Sequence, residues 1–521
     1  MSLRAYKMLL LAAALLMTSM SLPSKTYASL QTVRVGLTRF HEVTSIPITD
    51  RSVIIGFNNN GSFTQIIAKN TTSGFVVTIP SGYFAQVSGG FSSYAEAQMQ
   101  GAGTVLFNGS NFTLLSGPFQ TREEALSLGE LYVPSAQSVL LIADNIPAIV
   151  FDAGSLMQIA PASGEDSVSV GDRRYRGIIE FGRFRGRNLT AVNIVPLEQY
   201  LFSVVPSEMP ASWHMNALKA QAIAARSYSI NRAGVHSAEG FDLCDTTHCQ
   251  VYIGRGNEHA RTTDAVNQTA GRFAFWGEQI INATYFSSSG GVTDNSENVW
   301  INPTPYLISV VETNETEFLN WQRTFSMQEL TNLAGNIGQV SSVTVTHQSN
   351  GRVGQLVLNG AGGSRILQRE EIRTFFSGTS EGSLPSRNFY IAGTNPQTSQ
   401  QVQAATHAGN IPISIRAAEG EAVNALAGGI YVLGRTGNAA THSGLTVIGQ
   451  NATVSYGALP AGQAPNLGGG TAESTGNSVA FTGRGFGHGV GMSQFGARGM
   501  AEAGFTYREI IAFYYNGAVV R

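Results

Sequence analysis

The chain has 521 residues, 32 Lys and Arg against 34 Asp and Glu, a net charge of −2 and only 13% charged residues. That balance argues against a nucleic-acid partner, which needs a basic face. With 59 glycines and two cysteines, the composition reads as an exported, loop-rich, β-containing protein long enough for two or three domains.

Residues 1–28 place Arg4 and Lys7 ahead of the apolar run Met8 to Met17 and a small-residue site at Thr26-Tyr27-Ala28, the pattern of a secretory signal peptide. The apolar run is short for a membrane span, so a retained anchor is the alternative reading and the only membrane link expected. Cleavage removes three cations (Arg4, Lys7, Lys25) and no acid, leaving 29 basic against 34 acidic residues and a net charge of −5.

Residues 29–56 begin with the alternating run VRVGL and read as strands. A polar stretch rich in Asn and Gly follows around 57 to 74. Within 78–132 two segments echo each other, YFAQVSGGFSSYAEAQ at 83 to 98 and FTLLSGPFQTREEALSL at 112 to 128. Each offers a short strand, a Gly-Phe or Gly-Pro-Phe turn, a Ser or Thr cap and an acidic helix start, a β-α duplication. This segment resembles a SPOR module, which implies binding to glycan strands stripped of their peptides; a generic ferredoxin-like α+β module shares the pattern.

From 133 the chain returns to alternating strands and reaches VNIVPLEQYLFSVVPSEMP. Pro206 and Pro210 deny a continuous helix and bias their preceding residues to extended shapes, which predicts a stiff non-helical turn at Glu208. Met215 to Ala233 is an Ala-rich buried helix stopped by Gly234. A carboxylate at the mouth of a packed helix and partly desolvated has a raised pKa, as a general acid needs. The plain alternative is a Glu that caps or pairs at a helix entry.

Cys244 and Cys249 sit in FDLCDTTHCQVYIG with His248 between them and His236 upstream. Two thiolates and two imidazoles are the ligand set of a closed tetrahedral zinc site, structural because no position is left open for water. A disulfide or a pair of free thiols is the alternative. Further on come FSSSGG at 286 to 291, the segment WQRTFSMQELTNL expected as a helix, and the hairpin VSSVTVTHQSNGRVGQLVLNG. Residues 391–478 are rich in Gly, Ala, Gln, Asn and Thr, with weak β alternation between flexible linkers. The closing part, 479–521, carries GRGFGHGVGMSQFGARGMAEAG, whose alternate glycines let backbone approach a ligand or another strand closely. Its plain reading is a tight bulge around a structural His488.

The order VNIVPLEQYLFSVVPSEMP, ALKAQAIAARSYS, the Cys pair, FSSSGG and GRGFGHGVGMSQFGARGMAEAG resembles the SpoIID/LytB family. The resemblance implies an α+β fold: a mainly β SpoIID-type domain made of the parts 29–56, 133–390 and 479–521, with one long catalytic helix, plus a small SPOR-like module. It implies a peptidoglycan lytic transglycosylase whose catalytic acid is Glu208, and it supports zinc at the His236, Cys244, His248 and Cys249 loop in some members. On that reading His488, Ser493 and Gln494 line the glycan cleft, with Ser287, Ser288, Ser289, Gln221 and Arg226 as secondary candidates. Hydrolytic glycosidases usually need two carboxylates; Asp294 and Glu297 are nearby acids given no role, and a transglycosylase works with one because the substrate's C6 hydroxyl replaces water. The expected products are 1,6-anhydro-muramic ends, and the expected place is outside the cell, at the wall. A non-catalytic enhancer of a wall amidase, the other side of the family, and a wall-binding protein with a silent site are the competing functions.

Overall fold

A computed structural model describes residues 32–152, 156–186, 188–392 and 476–521, with short strands between 415 and 474. The expected leader, 1–28, lies outside the described residues. Of 391–478, the described pieces include three short strand pairs, 415–416 with 422–423, 431–433 with 439–441 and 445–449 with 452–456. No helix among the described residues is long and apolar enough to cross a membrane.

The fold is mixed α+β, with several sheets and scattered helices. A seven-stranded sheet runs in the order Leu243–Cys244, Thr32–Val43, Leu189–Pro196, Ile178–Gly182, Met157–Pro161, Ser52–Asn59, Ser62–Asn70. The VRVGL alternation is visible in it, since Val33, Val35 and Leu37 are buried. Its outermost strand on one side, Leu243–Cys244, pairs parallel to Thr32–Val43 and delivers the first cysteine to its loop. The polar stretch after 57 is a strand hairpin. Asn60 and Gly61 both take positive φ (51° and 88°), as a two-residue I′ turn demands. Its second strand is nowhere fully buried, so no clean alternation marked it in the sequence.

Residues 83–132 fold as strand Tyr83–Phe91, helix Tyr94–Met99, strands Thr104–Phe107 and Phe112–Phe119, helix Arg122–Leu126 and strand Glu130–Tyr132. Ser93 caps the first helix, and Thr121 with Glu124 forms a capping box on the second, each worth about 1 kcal/mol. The strands are not a separate body: through Ile146–Phe151 and Val139–Ala143 they continue into one eight-stranded sheet.

The segment expected as a helix at 321 divides. Asn320–Ser326 is a strand paired with Ser478–Arg484, and the helix is Met327–Ala334, started by a Ser326–Glu329 capping box. The partner strand lies more than 150 positions away, so local pattern could not announce it. The hairpin forms as Val340–His347 and Val353–Gly360.

At the centre the helix Met215–Asn231 buries eleven residues, five of them Ala, and so accepts neighbours closely on several sides. The helices Leu197–Glu208, Ala260–Gln268, Gln494–Glu502 and Tyr507–Tyr514 pack around it. Two cores meet there: Leu197, Tyr200, Leu201, Val204 and Val205 face the large β core, while Leu218, Ile223, Met500 and Ile511 build the second.

Candidate functional site

Glu208 is the last residue of the helix Leu197–Glu208, not part of a non-helical turn. Leu197, Tyr200, Leu201, Val204 and Val205 bury one stripe at helical spacing, and that burial outweighs the hydrogen bond lost at Pro206. The helix stops at Met209, which is extended (φ −130°, ψ 135°) because Pro210 follows. The half-buried carboxyl of Glu208 accepts from the Val251 N–H on Oε1 (3.3 Å) and from Gln494 Nε2 on Oε2 (3.1 Å). Burial raises its pKa above the ordinary carboxylate value, and hydrogen bonds from Gln494, Val251 and Tyr285 draw it partly back. Behind it Gln250 donates to the Tyr285 hydroxyl (2.9 Å) and accepts from Tyr200 (3.1 Å) and Ser229 (2.8 Å).

The four residues expected as metal ligands converge. His236, Cys244, His248 and Cys249 bring their ligand atoms within 4.8 Å of one another, a cluster able to coordinate a metal ion. Both thiols are free. His236 Nε2 lies 3.3 Å from His248 Nδ1, and nitrogen-to-sulfur separations are 3.5 Å and 3.6 Å. A tetrahedral zinc with ordinary bond lengths sets ligand edges of about 3.3 Å between nitrogens and about 3.6 Å between nitrogen and sulfur. The donor set therefore fits. His236 turns its other ring nitrogen to Glu239 (3.4 Å), the carboxylate contact that orients a ligating imidazole, and its ring stacks on Phe241. Cys249 stands two residues before Val251, so the same loop that closes the cluster presents the N–H to Glu208.

The remaining expected cleft residues divide sharply. Gln494 touches Glu208. Arg226 is fully buried: it holds Glu198 with two bonds (2.9 and 2.7 Å) and donates to the carbonyls of Arg272, Val266 and Ala222. Gln221 is also fully buried, with neither side-chain polar atom hydrogen-bonded. Ser288 and Ser289 are buried and committed to Glu315. Ser287 is half-buried, and its carbonyl accepts from the Phe495 N–H. Ser493 caps the helix Gln494–Glu502. His488 uses both ring nitrogens: Nδ1 accepts from the Val490 N–H and Nε2 faces the Tyr285 carbonyl, each at 3.1 Å. Burial first, then nearby Arg373, Arg352 and Arg387, push it down to about 3, which keeps the ring neutral. The glycines at 485, 487, 489 and 491 all take positive φ, which a side chain would oppose. Asp294 is locked between the buried Arg352 and Arg387. Glu297 lies in the first turn of the short helix Ser296–Val299.

Sequence reasoning missed Tyr285, Gln250, Glu312 and Glu315. Tyr285 immediately precedes FSSSGG and Gln250 immediately follows Cys249, so proximity to named motifs could have found both. Glu312 and Glu315, in VETNETEF, carry no such signal.

The SpoIID family, stage II sporulation protein, matches residues 185–276, which take in Glu208, the Ala-rich helix and all four cluster residues. At the level of the family, the chain matches the SpoIID/LytB proteins. It is 31% identical over 374 residues to the amidase enhancer of Bacillus subtilis, covering 70% of this chain and 47% of that protein. It is 26% identical over 361 residues to stage II sporulation protein D of Bacillus subtilis, 65% of this chain and 77% of that one. An uncharacterised protein of Brachyspira hyodysenteriae is 25% identical over 408 residues, 77% and 87% of the two chains. This chain thus spans about half of the amidase enhancer and most of the other two.

Proposed function

We propose that this protein acts at peptidoglycan outside the cell as a wall-binding enhancer of an N-acetylmuramoyl-L-alanine amidase. The observation that carries this reading is the 31% identity to an amidase enhancer over 374 residues. The strand and helix order of residues 83–132 supports a SPOR-like glycan-binding module as the means of attachment. Zinc held by His236, Cys244, His248 and Cys249 would brace the loop 244–251; with four protein ligands it would supply structure and no chemistry.

A second reading is favoured by one specific feature, the environment of Glu208. On it the protein is a lytic transglycosylase of peptide-free glycan. Raised by burial, the Glu208 carboxyl donates its proton to the oxygen bridging N-acetylmuramic acid and N-acetylglucosamine. The muramic C6 hydroxyl attacks C1, the bridging C–O bond breaks, and the Glu208 carboxylate takes the hydroxyl proton. Gln494 and the Val251 N–H, one on each oxygen, steady the carboxylate between the two transfers.

One experiment separates the two. The protein without residues 1–28 and its Glu208→Gln variant are incubated with amidase-stripped glycan strands, and separately with intact wall plus a purified wall amidase. Stimulated amidase release by both proteins, without new glycan ends, supports the enhancer. Anhydro-muramic ends from the wild type alone support the transglycosylase and overturn the first reading as the whole function.

A further inference from the structure

Glu315 is 3% exposed, yet both its carboxyl oxygens are fully engaged. Oε1 accepts from the Ser288 hydroxyl and the Gly290 N–H (3.5 Å); Oε2 accepts from the Ser289 N–H (3.0 Å), the Ser289 hydroxyl (2.5 Å) and the Ser493 hydroxyl (3.1 Å). Two chain segments roughly 200 positions apart therefore meet on one side chain. From the other side the Arg352 guanidinium donates to the Ser289 carbonyl (3.1 Å), so the serine segment is clamped between a buried acid and a buried base.

The link that matters runs through Ser493. Its hydroxyl lies 3.1 Å from Glu315 Oε2 and 3.4 Å from the Ser287 carbonyl; the nearer group, a carboxylate, is the better acceptor for its one proton, and the lone pairs accept from the Gly496 N–H (3.1 Å), the capping bond of the helix Gln494–Glu502. The Phe495 N–H at the same helix start bonds to the Ser287 carbonyl (3.0 Å). Gln494, between these two anchored residues, is the side chain that donates to Glu208 Oε2 (3.1 Å). We propose that Glu315 is a positioning residue of the site: through Ser493 and the serine segment it fixes the helix start that holds Gln494 on the Glu208 carboxyl. Glu315 itself has no contact with Glu208; it acts through other groups. The inference rests on Glu208 being the functional carboxyl, as in the transglycosylase reading, but its geometry is testable without that activity.

A Gln at 315 keeps the shape and brings an NH2 to where Ser289 and Gly290 offer backbone N–H donors, so at least one bond must break. The test uses protein without residues 1–28, labelled with 15N at glutamine side chains, with the Gln494 amide resonance assigned by its loss in Gln494→Ala. In Glu315→Gln and in Ser493→Ala that resonance should move to the position of a solvent-exposed amide. Cleavage of amidase-stripped glycan should fall by about 100-fold in kcat with KM within about twofold, the loss typical of a slightly misplaced group. The double variant should be no worse than either single one, because both changes cut one chain of contacts. Should Glu315→Gln fail to fold, Ser493→Ala cuts the same chain from its other end. An unmoved Gln494 resonance in the folded variants, or kcat losses that multiply in the double variant, overturns the proposal. Wild-type protein that cleaves nothing, with the resonance shift intact, would remove the transglycosylase reading and leave the positioning role standing.

Discussion

Replacing Glu312 by Gln should flatten the pH dependence of stability in a direction that burial fixes. Glu312 is 5% exposed, lies against the Tyr514 hydroxyl, and is packed so closely on Gly496 that a Cβ there would strike its carboxylate. Burial first, and the neighbouring Glu315 charge after it, push its carboxyl from 4.5 up to about 7. Between those values the folded chain keeps a proton that the unfolded chain has released, so stability falls as pH rises through this window. Above about pH 7 the loss is complete, and below about pH 4.5 it is absent. A shift of roughly 2.5 units at about 1.4 kcal/mol per unit puts the whole effect near 3 kcal/mol. Glutamine still accepts from Tyr514 and never ionises, so the variant lacks this contribution. Urea unfolding of both proteins at about pH 4 and about pH 8 gives a difference of differences in which groups untouched by the substitution cancel. The wild type should lose about 3 kcal/mol relative to the variant between the two pH values. An equal gap at both pH values, or one that moves the other way, refutes the burial argument.

Arg226→Ala should cost about 3–5 kcal/mol of stability, read by thermal unfolding, because Glu198 and three carbonyls, two of them buried, lose their donor. Arg226→Lys should recover only part of it, since an ammonium cannot reproduce the paired contacts to Glu198. The purified protein should carry about one zinc per chain by elemental analysis, and Cys249→Ser or a strong chelator should lower metal content and melting temperature together. A melting temperature indifferent to the chelator would count against the ion as a brace. If Glu208 is a general acid, glycan cleavage should decline as pH rises through its raised value, and Gln494→Ala, by removing a donor to the ionised form, should move that decline to higher pH.

What the sequence disclosed and what it hid divide along one physical line. Features made by neighbours in the chain were legible: the Ala-rich helix from Met215, the caps at Ser93 and Thr121, and the His and Cys cluster able to hold a metal, three of its residues within six positions and His236 eight residues earlier. The helical setting of Glu208 was not legible, because two prolines outvote a buried stripe only when packing is ignored, and here five buried apolar side chains held the helix through Pro206. For the expected cleft residues local pattern is ambiguous for a related reason. A hydroxyl, a guanidinium or an imidazole in a glycine-rich or helical motif offers the same bonds to a sugar and to its own fold, and only the partner decides. Arg226, Ser288, Ser289 and His488 all found partners within the protein. The partners themselves, Glu198, Glu315 and the Tyr285 carbonyl, sit 26 to 203 positions away along the chain. Gln494 reaches Glu208 across 286 positions. A site assembled over such distances leaves its chemistry in the motifs and its geometry in ordinary residues such as Glu315. Substitutions at those ordinary positions are therefore the ones that separate a working carboxyl from one that merely survives in sequence.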